Sequence, residues 1–283
     1  MPTKPQLVDP DPPEVPISTE AEAKQVEERQ AIGAQIVYEA IRREGEEELS
    51  RTVSALAWSA FAAGLSMGLS FISEALLMAY LPDAPWRPLV SKLGYAMGFL
   101  VVILGRQQLF TENTVTVVLP LLLRKNVATL LRMLRLWGVV LLANLVGTYL
   151  FALVMGKVSV LDPQAQKYLH EIGEAHLGYS FGIAFVRAVF AGWLIALMVW
   201  LLPAAETARI SVIILVTYLI GLGGFNHIVA GSTTMLYLVV THAISWGTYF
   251  VQFFVPALLG NVFGGMALVA ALGHAQVVAG KEQ

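Results

Sequence analysis

Cysteine is absent from this 283-residue sequence, and charged residues are scarce. Without cysteine the chain has no disulfides, no thiolate nucleophile and no thiolate metal ligand. Charged residues make up 13% of the chain, against about 25% in an average soluble domain, and hydrophobic residues make up 57%. The formal net charge of -2 gives no sign of a nucleic-acid partner. This composition excludes an ordinary soluble domain and indicates an integral membrane protein embedded in a lipid bilayer.

The few charges are unevenly placed along the chain. Residues 1–51 contain 12 of the 20 acidic residues and 6 of the 18 basic residues. The sequence therefore predicts a polar arm over residues 1–51, a transmembrane domain over residues 52–276 and a short tail over residues 277–283. Within the arm, residues 1–17 are rich in Pro and Asp and are predicted to be disordered. A capping-box pattern formed by Thr19 and Glu22 predicts an amphipathic helix over about residues 19–44, ending before Gly45.

Six apolar runs are candidates for crossing a bilayer, which takes about 20 residues of helix. They cover residues 54–81, 93–123, 136–156, 177–202, 210–240 and 250–274. Six passes place both termini on the same side of the membrane. The short basic loop at residues 124–135 and the basic residues of the arm make that side cytoplasmic by the positive-inside rule. The sequence thus predicts a multi-pass protein of the plasma membrane, the inner membrane in bacteria.

The second and fifth passes are interrupted by polar residues and glycine, at residues 105–114 and 221–227. A helix broken inside a membrane leaves amide groups unpaired unless they line a cavity, so each break is expected to line a pore. The second break ends at His227, near the middle of the membrane. An ionisable side chain at this depth is costly and is a candidate functional residue. The alternative is an imidazole that is buried and hydrogen-bonded for packing alone.

Matching motifs occur in the two halves of the membrane domain. An Asn-x-x-Gly motif lies in the third and sixth passes, and an Ala-Gly pair lies in the first and fourth passes. Three passes per repeat is an odd number, so the halves must be inverted relative to each other. The predicted fold is an all-α membrane protein with six transmembrane helices in two inverted three-helix repeats, the second and fifth helices being broken. This is a pattern of transporters and channels. The motif residues are Asn144 and Gly147, Asn261 and Gly264, Gly64 and Gly192.

The combination of motifs resembles the formate/nitrite transporter family over about residues 51–276. The resemblance is carried by Leu109-Phe110-Thr111 with Asn113 in the second pass, by the Asn-x-x-Gly motifs, and by Phe225-x-His227 in the fifth pass. Within the family, the resemblance is greatest to a less characterised branch whose members have a long acidic N-terminal arm. It implies an aquaporin-like fold, a homo-pentamer, and passage of small monovalent anions through a pore in each subunit.

The resemblance also implies roles for individual residues. Leu109 and Phe110 would belong to a cytoplasmic constriction, Thr111 would face the pore beside His227, and His227 would be the central histidine. The full set of pore or substrate candidates is His227, Thr111, Phe110, Leu109, Asn226, Phe225 and Ile220.

Four positions depart from the family pattern. Asn226 replaces the acid that usually precedes the central histidine, and Ile220 occupies the place of an aromatic residue. Gly192 and Gly231 replace asparagines. These departures leave the identity of the substrate open.

Three charged residues, Glu74, Arg106 and Glu112, lie at or near membrane depth and form a candidate intramembrane charge network. We expect Arg106 to pair with Glu112 or Glu74, because charges in hydrocarbon survive by pairing. The alternative makes one of the two glutamates a proton carrier. Arg187 is expected to snorkel toward the outer surface. The other outer candidates, which fall in or beside loops without metal-ligand spacing, are His170, His176 and His242.

Three functions are compatible with these residues. The first is a pH-sensitive channel or transporter for small monovalent anions of weak acids, in which His227 attracts the anion as imidazolium or returns a proton to it. The second is a pore for small neutral solutes such as water or polyols. The third is a membrane scaffold whose arm recruits a partner. No paired acid and base for catalysis stands out, so the sequence predicts neither an enzyme nor a cofactor or metal.

Overall fold

The computed structural model describes Thr19, residues 32–271, Gly273 and Ala275. The predicted disordered segment 1–17, most of the predicted arm helix and the tail 277–283 lie outside the described residues. Helices account for most of the described chain. In order they are α1 (Ala34–Ser50), α2 (Val53–Tyr80), α3 (Arg87–Leu104), α4 (Asn113–Arg124), α5 (Val127–Lys157), α6 (Pro163–Glu174), α7 (Phe181–Ala204), α8 (Arg209–Leu222), α9 (Ile228–Val240) and α10 (Trp246–Ala267).

The six predicted passes are confirmed, including both breaks. Five helices, α2, α3, α5, α7 and α10, are long and apolar enough to span a bilayer within the described part of the chain. The shorter apolar helices form the rest: α4 follows α3 as the second half of pass two, and α8 and α9 are the two halves of pass five. The chain is therefore an all-α membrane protein in which passes two and five are broken.

Two predicted loops are partly helical. Helix α5 starts at Val127, so Arg132 and Arg135 lie on a helix and not in a loop; the Asn126 side chain starts this helix by accepting from Thr129 N. The segment after α5 contains α6, which begins with Pro163 at its first turn. Proline is pre-organised for the first turn of a helix, so this start was readable from the sequence.

The first repeat is held together by Asn144, which is fully buried on α5. Its side-chain amide donates to Ala60 O at 2.7 Å and to Gln108 O at 2.9 Å. Its Oδ1 accepts from Phe110 N at 3.0 Å. Asn144 thus satisfies two backbone groups that the break in pass two leaves without helical partners, and it ties the break to α2.

The second repeat uses Asn261 in the same way. Its amide donates to Ala188 O and Asn226 O, both at 2.8 Å, and its Oδ1 accepts from Ile228 N at 2.7 Å. The break in pass five is therefore tied to α7 as the break in pass two is tied to α2. The motif match seen in the sequence marks the same structural device in both repeats.

The backbone follows the same path through both breaks. Arg106 and Gly224, 118 residues apart, both have positive φ, at 50° and 59°. The bond from Gln107 N to Val102 O, at 2.9 Å, has its counterpart, again 118 residues on, in the bond from Phe225 N to Ile220 O at 3.0 Å. Passes two and five are therefore structural equivalents.

Helix α1 continues to Ser50, so the predicted end near residue 44 was too early. Gly45 does not stop the helix; it lies against the backbone of Thr116 at the start of α4. Ion pairing between Glu46 and Arg124, at 2.8 Å, joins the same two helices. The compact unit that contains the membrane helices begins at Ala34. Helix α1 thus belongs to the same compact unit as the membrane helices.

We predict that Gly45→Ala destabilises the protein even though alanine is the better helix former by about 1 kcal/mol. A Cβ at this position would overlap the carbonyl of Thr116, a backbone group that cannot rotate away. Thermal unfolding in detergent should show a lower midpoint for this variant. The matched control is Gly138→Ala on α5, where nothing lies within 4 Å of the added Cβ. A midpoint for Gly45→Ala at or above that of Gly138→Ala would contradict the prediction.

Candidate functional site

The two broken helices meet at a contact between Thr111 and His227. Thr111 Oγ1 lies 2.8 Å from His227 Nε2, and both side chains are fully buried. Thr111 belongs to the break in pass two and His227 ends the break in pass five, 116 residues later. The structure therefore brings together the two residues that the family resemblance placed side by side.

The second ring nitrogen of His227 fixes which nitrogen carries the proton. His227 Nδ1 accepts from Ala230 N at 3.1 Å, so His227 is the N-cap of α9 and its Nδ1 has no hydrogen. In the neutral ring the proton is then on Nε2, which donates to Thr111 Oγ1. The ring of Phe99 packs against the imidazole edge to face, with centroids 5.0 Å apart. His227 is thus held by two hydrogen bonds and an aromatic contact.

Apolar side chains enclose this contact. Leu109 and Phe110 are 0% and 2% exposed, and Phe110 packs against Trp137 with ring centroids 5.8 Å apart. Neither residue lines one of the two cavities described next. Their role as a constriction stays a prediction.

A first cavity has a volume of about 680 Å³ and is lined on one side by helix α1, so we call it the α1-side cavity. Burial raises the pKa of Glu48, and the attraction of Arg51 opposes this shift. The lining of the α1-side cavity contains charged residues of both signs. Its ionisable lining residues are Glu44, Glu47, Glu48, Glu112, Arg51, Arg106 and Arg209.

A second cavity, the far cavity, lies on the other side of His227 and has a volume of about 150 Å³. Two sequence candidates, Ile220 and Phe225, line it, and Phe225 also stacks on Phe190 with centroids 5.2 Å apart. Its ionisable lining residues are Glu74, Lys92, Tyr95, His176, Tyr179 and Arg187. Thr111 and His227 separate the two cavities and line neither.

The predicted charge network of Glu74, Arg106 and Glu112 is not formed. Glu74 is buried and pairs with Lys92 beside the far cavity. Arg106 pairs with Glu44 of α1, at 3.2 Å, on the surface of the α1-side cavity. Glu74 lines the far cavity, whereas Arg106 and Glu112 both line the α1-side cavity, so Glu74 cannot pair with Arg106. Arg106 pairs with Glu44 and not with Glu112, which lines the same cavity.

Asn226 connects the second break to the far cavity through His176. The Asn226 Nδ2 donates to Ala184 O at 3.3 Å, so its Oδ1 accepts from His176 Nδ1, 3.1 Å away. The sequence placed His176 in an outer loop and gave it no role. No local pattern could have found it, because its partner is 50 residues further along the chain.

We predict that His176 makes the protein less stable as the pH falls from about 6.5 to about 4. His176 lies between α6 and α7, where burial lowers its pKa to about 4; the Asn226 hydrogen bond opposes this shift, and Lys92 and Arg187 add to it. In the unfolded chain histidine titrates near 6.5, so below that pH the unfolded state binds a proton that the folded state does not. The contribution of neutral His176 to the free energy of unfolding is therefore fully present above pH 6.5 and is lost as the pH falls toward 4.

Unfolding midpoints in detergent between pH 7 and pH 4 would test this prediction. His176→Gln should flatten the pH dependence. His170→Gln is the control, because His170 packs against Tyr237, with ring centroids 5.0 Å apart, and lines neither cavity. Equal slopes for wild type and His176→Gln would contradict the assignment.

Comparison with known proteins places this arrangement in a family. Residues 34–275 match the family model described as formate/nitrite transporter. The inner membrane protein YfdC of Escherichia coli (strain K12) is 43% identical over 251 residues, which cover 89% of this chain and 81% of YfdC.

Two solved structures share the fold. One, described as an FNT family ion channel, has a TM-score of 0.74 and 21% identity, covering 86% of this chain and 99% of that chain. The other, described as a pentameric formate channel with formate bound, has a TM-score of 0.68 and 20% identity, covering 80% of this chain and 98% of that chain. Together with the family match, they confirm the transporter fold predicted from the paired breaks. The chain therefore belongs to the formate/nitrite transporter family, a family of transporters and not of enzymes.

Proposed function

We propose that this protein conducts small monovalent anions of weak acids, similar to formate or nitrite, across the bilayer. The path runs from the far cavity past Thr111 and His227 into the α1-side cavity. One observation carries the proposal: a fully buried imidazole, hydrogen-bonded to Thr111 at 2.8 Å, lies where two broken helices meet between two cavities. The names of the relatives support the substrate class, since one solved relative is described as a formate channel with formate bound.

The electrostatics around His227 favour an anion. Helix α9 begins at Ile228, so the positive end of its dipole is directed at His227 and Thr111. The Nε2–H of the neutral ring donates to Thr111 Oγ1, and an anion in the path could replace Thr111 as the acceptor. A broken helix in a membrane commonly presents its N-terminus to an anionic substrate in this way.

His227 would also give the pathway its pH sensitivity. The ring becomes a cation when Nδ1 takes a proton, and this step gives up the bond from Ala230 N. An imidazolium would attract the anion and could then return that proton, so that the anion leaves as the neutral acid and the ring is neutral again. The proton is conserved in this exchange, which makes the coupling of anion and proton movement testable.

The orientation and assembly are proposals as well. The exposed residues Arg124, Lys125, Arg132 and Arg135 lie on the α1 side, and Arg124 and Arg135 contact α1 directly. By the positive-inside rule the α1 side is cytoplasmic, with both termini there, in the inner membrane of a bacterium. We further propose a homo-pentamer, because the solved formate channel that shares this fold is described as pentameric.

A pore for small neutral solutes is the competing function. It is favoured by the apolar enclosure of the contact, where Leu109, Phe110 and Phe99 are all at most 2% exposed and a bare charge would be costly. In that case water or a polyol would cross, and His227 would serve as a hydrogen-bonding residue.

Flux into proteoliposomes decides between the two functions. Formate, nitrite and acetate should be compared with water and glycerol between pH 5 and pH 8, with protein-free liposomes as the control for leakage of the neutral acids. The proposal expects protein-dependent anion flux that rises as the pH falls. Flux of water or glycerol without anion flux would overturn it in favour of the neutral-solute pore.

A further inference from the structure

Arg187 places a fixed positive charge in the far cavity. The sequence suggested that it snorkels toward the surface, but its guanidinium turns inward and lines this cavity. Its Nη2 donates to the carbonyl of Gly224 at the break, and its Cζ lies 4.3 Å from the ring centre of Tyr179. A Cβ at position 224 would collide with this guanidinium, so the glycine makes room for it.

No carboxylate neutralises Arg187 among the residues that the structure describes. The acid that lines the far cavity, Glu74, pairs with Lys92. The lining thus has two cations, Lys92 and Arg187, against one carboxylate, and His176 adds no charge in its neutral form. One positive charge is left over in a cavity with low-dielectric walls, where unpaired charge is costly.

The Arg187 Nε–H is buried and has no hydrogen-bond partner within the described part of the chain. Buried donors without acceptors are rare in folded proteins, because the donor loses its hydrogen bonds to water and gains none in return. A small anion in the far cavity would satisfy this donor and balance the extra charge at the same time. One anion of charge -1 is enough for both.

The volume of the far cavity limits the size of such an anion. About 150 Å³ corresponds to about five water molecules at ~30 Å³ each. The space fits an anion of three or four heavy atoms, such as formate, nitrite or acetate.

The corresponding position in the first repeat has no charge. Asn144 and Asn261 bind Ala60 O and Ala188 O in the same way, so the residues just before these alanines, Ser59 and Arg187, occupy equivalent places. Ser59 Oγ accepts from Gln108 N at 3.1 Å. A serine thus satisfies the first break, and an arginine with a spare donor faces the cavity at the second.

We propose that Arg187 forms an anion-binding subsite in the far cavity, in which its Nε–H donates to a small monovalent anion waiting on the far side of His227. The subsite rests on the proposed anion path. It can nevertheless be tested without measuring flux, because an anion that binds the folded state raises the melting temperature by mass action.

The experiment is a thermal-melting titration of the full chain in detergent. Sodium formate replaces sodium gluconate at constant ionic strength, since gluconate is a much larger anion of the same charge. The expected result is a saturable rise in melting temperature for wild type, lost in Arg187→Gln. Arg132→Gln is the matched control: Arg132 is exposed on α5, has no ion pair among the described residues, and should leave the rise unchanged.

A second variant covers the case in which Arg187→Gln does not fold. Arg187→Lys keeps the charge but loses the Nε–H and the planar fork, so its half-saturating formate concentration should increase by about tenfold. A formate-dependent rise that is the same in wild type, Arg187→Gln and Arg187→Lys would overturn the subsite.

The subsite and the proposed function fail in different ways. An Arg187-dependent rise in melting temperature without anion flux in liposomes would remove the proposed function and leave the subsite. Anion flux together with a melting rise that ignores Arg187 would remove the subsite and leave the function.

Discussion

His227→Asn is expected to reduce acid-stimulated anion flux by about a hundredfold or more, the scale on which a positioned proton donor or acceptor acts. The reason lies in the two bonds of the ring. Asparagine is among the best N-cap residues, so its side chain can still accept from Ala230 N and preserve the start of α9. It cannot carry a positive charge or return a proton. The substitution therefore removes the proton chemistry and keeps the local fold.

Proteoliposome uptake of formate between pH 5 and pH 8 measures this effect. His170→Asn is the control, since this histidine packs on Tyr237 and lines neither cavity. His227→Ala separates capping from chemistry: it should lose the flux and, in addition, about 1 kcal/mol of stability with the cap. Wild-type flux across the pH range in a folded His227→Asn variant would remove His227 from the mechanism.

Asn261→Leu is expected to lower the free energy of unfolding by about 4 kcal/mol, the largest stability effect that we predict. The leucine leaves Asn226 O and Ile228 N without partners in a buried region, and it removes a second bond from Ala188 O, a carbonyl inside helix α7. Each such group costs about 1–3 kcal/mol, and no water in a bilayer core can replace the lost bonds. Because the break in pass five then has no anchor on α7, His227 would also lose its position.

Reversible unfolding in mixed micelles, followed by circular dichroism, measures this loss. Asn144→Leu should give a similar value, because Asn144 makes the matching three bonds in the first repeat. Thr148→Val is the control: Thr148 is equally buried, but its hydroxyl bonds to Leu145 O in its own helix, and its loss should cost about 1 kcal/mol. If Asn261→Leu and Thr148→Val cost the same, the asparagines are not the anchors of the breaks.

The pairing of repeats was readable from the sequence because it is encoded locally. A break in a membrane helix requires polar residues or glycine inside an apolar run, and its freed amide groups require a polar partner elsewhere. The interruptions at 105–114 and 221–227 and the asparagines at positions 144 and 261 are those features. The contact of Thr111 with His227 was carried over from the family resemblance, and the geometry agrees with it.

The ends of helices were less predictable where packing overrides local preference. Gly45 is a stop signal by propensity, but it lies inside α1 because its missing side chain lets the helix approach Thr116. No sequence pattern distinguishes a glycine that ends a helix from one that admits a neighbour.

By itself, the sequence determined that this is a six-pass membrane protein with two equivalent breaks and a histidine at the second. The tertiary structure decided how the charges are partnered: Glu74 with Lys92, Arg106 with Glu44, and Arg187 turned toward Gly224. The physical reason is the length of these side chains. Long ionic side chains can extend toward either of two surroundings, and the burial and partners that select one come from helices distant in the sequence.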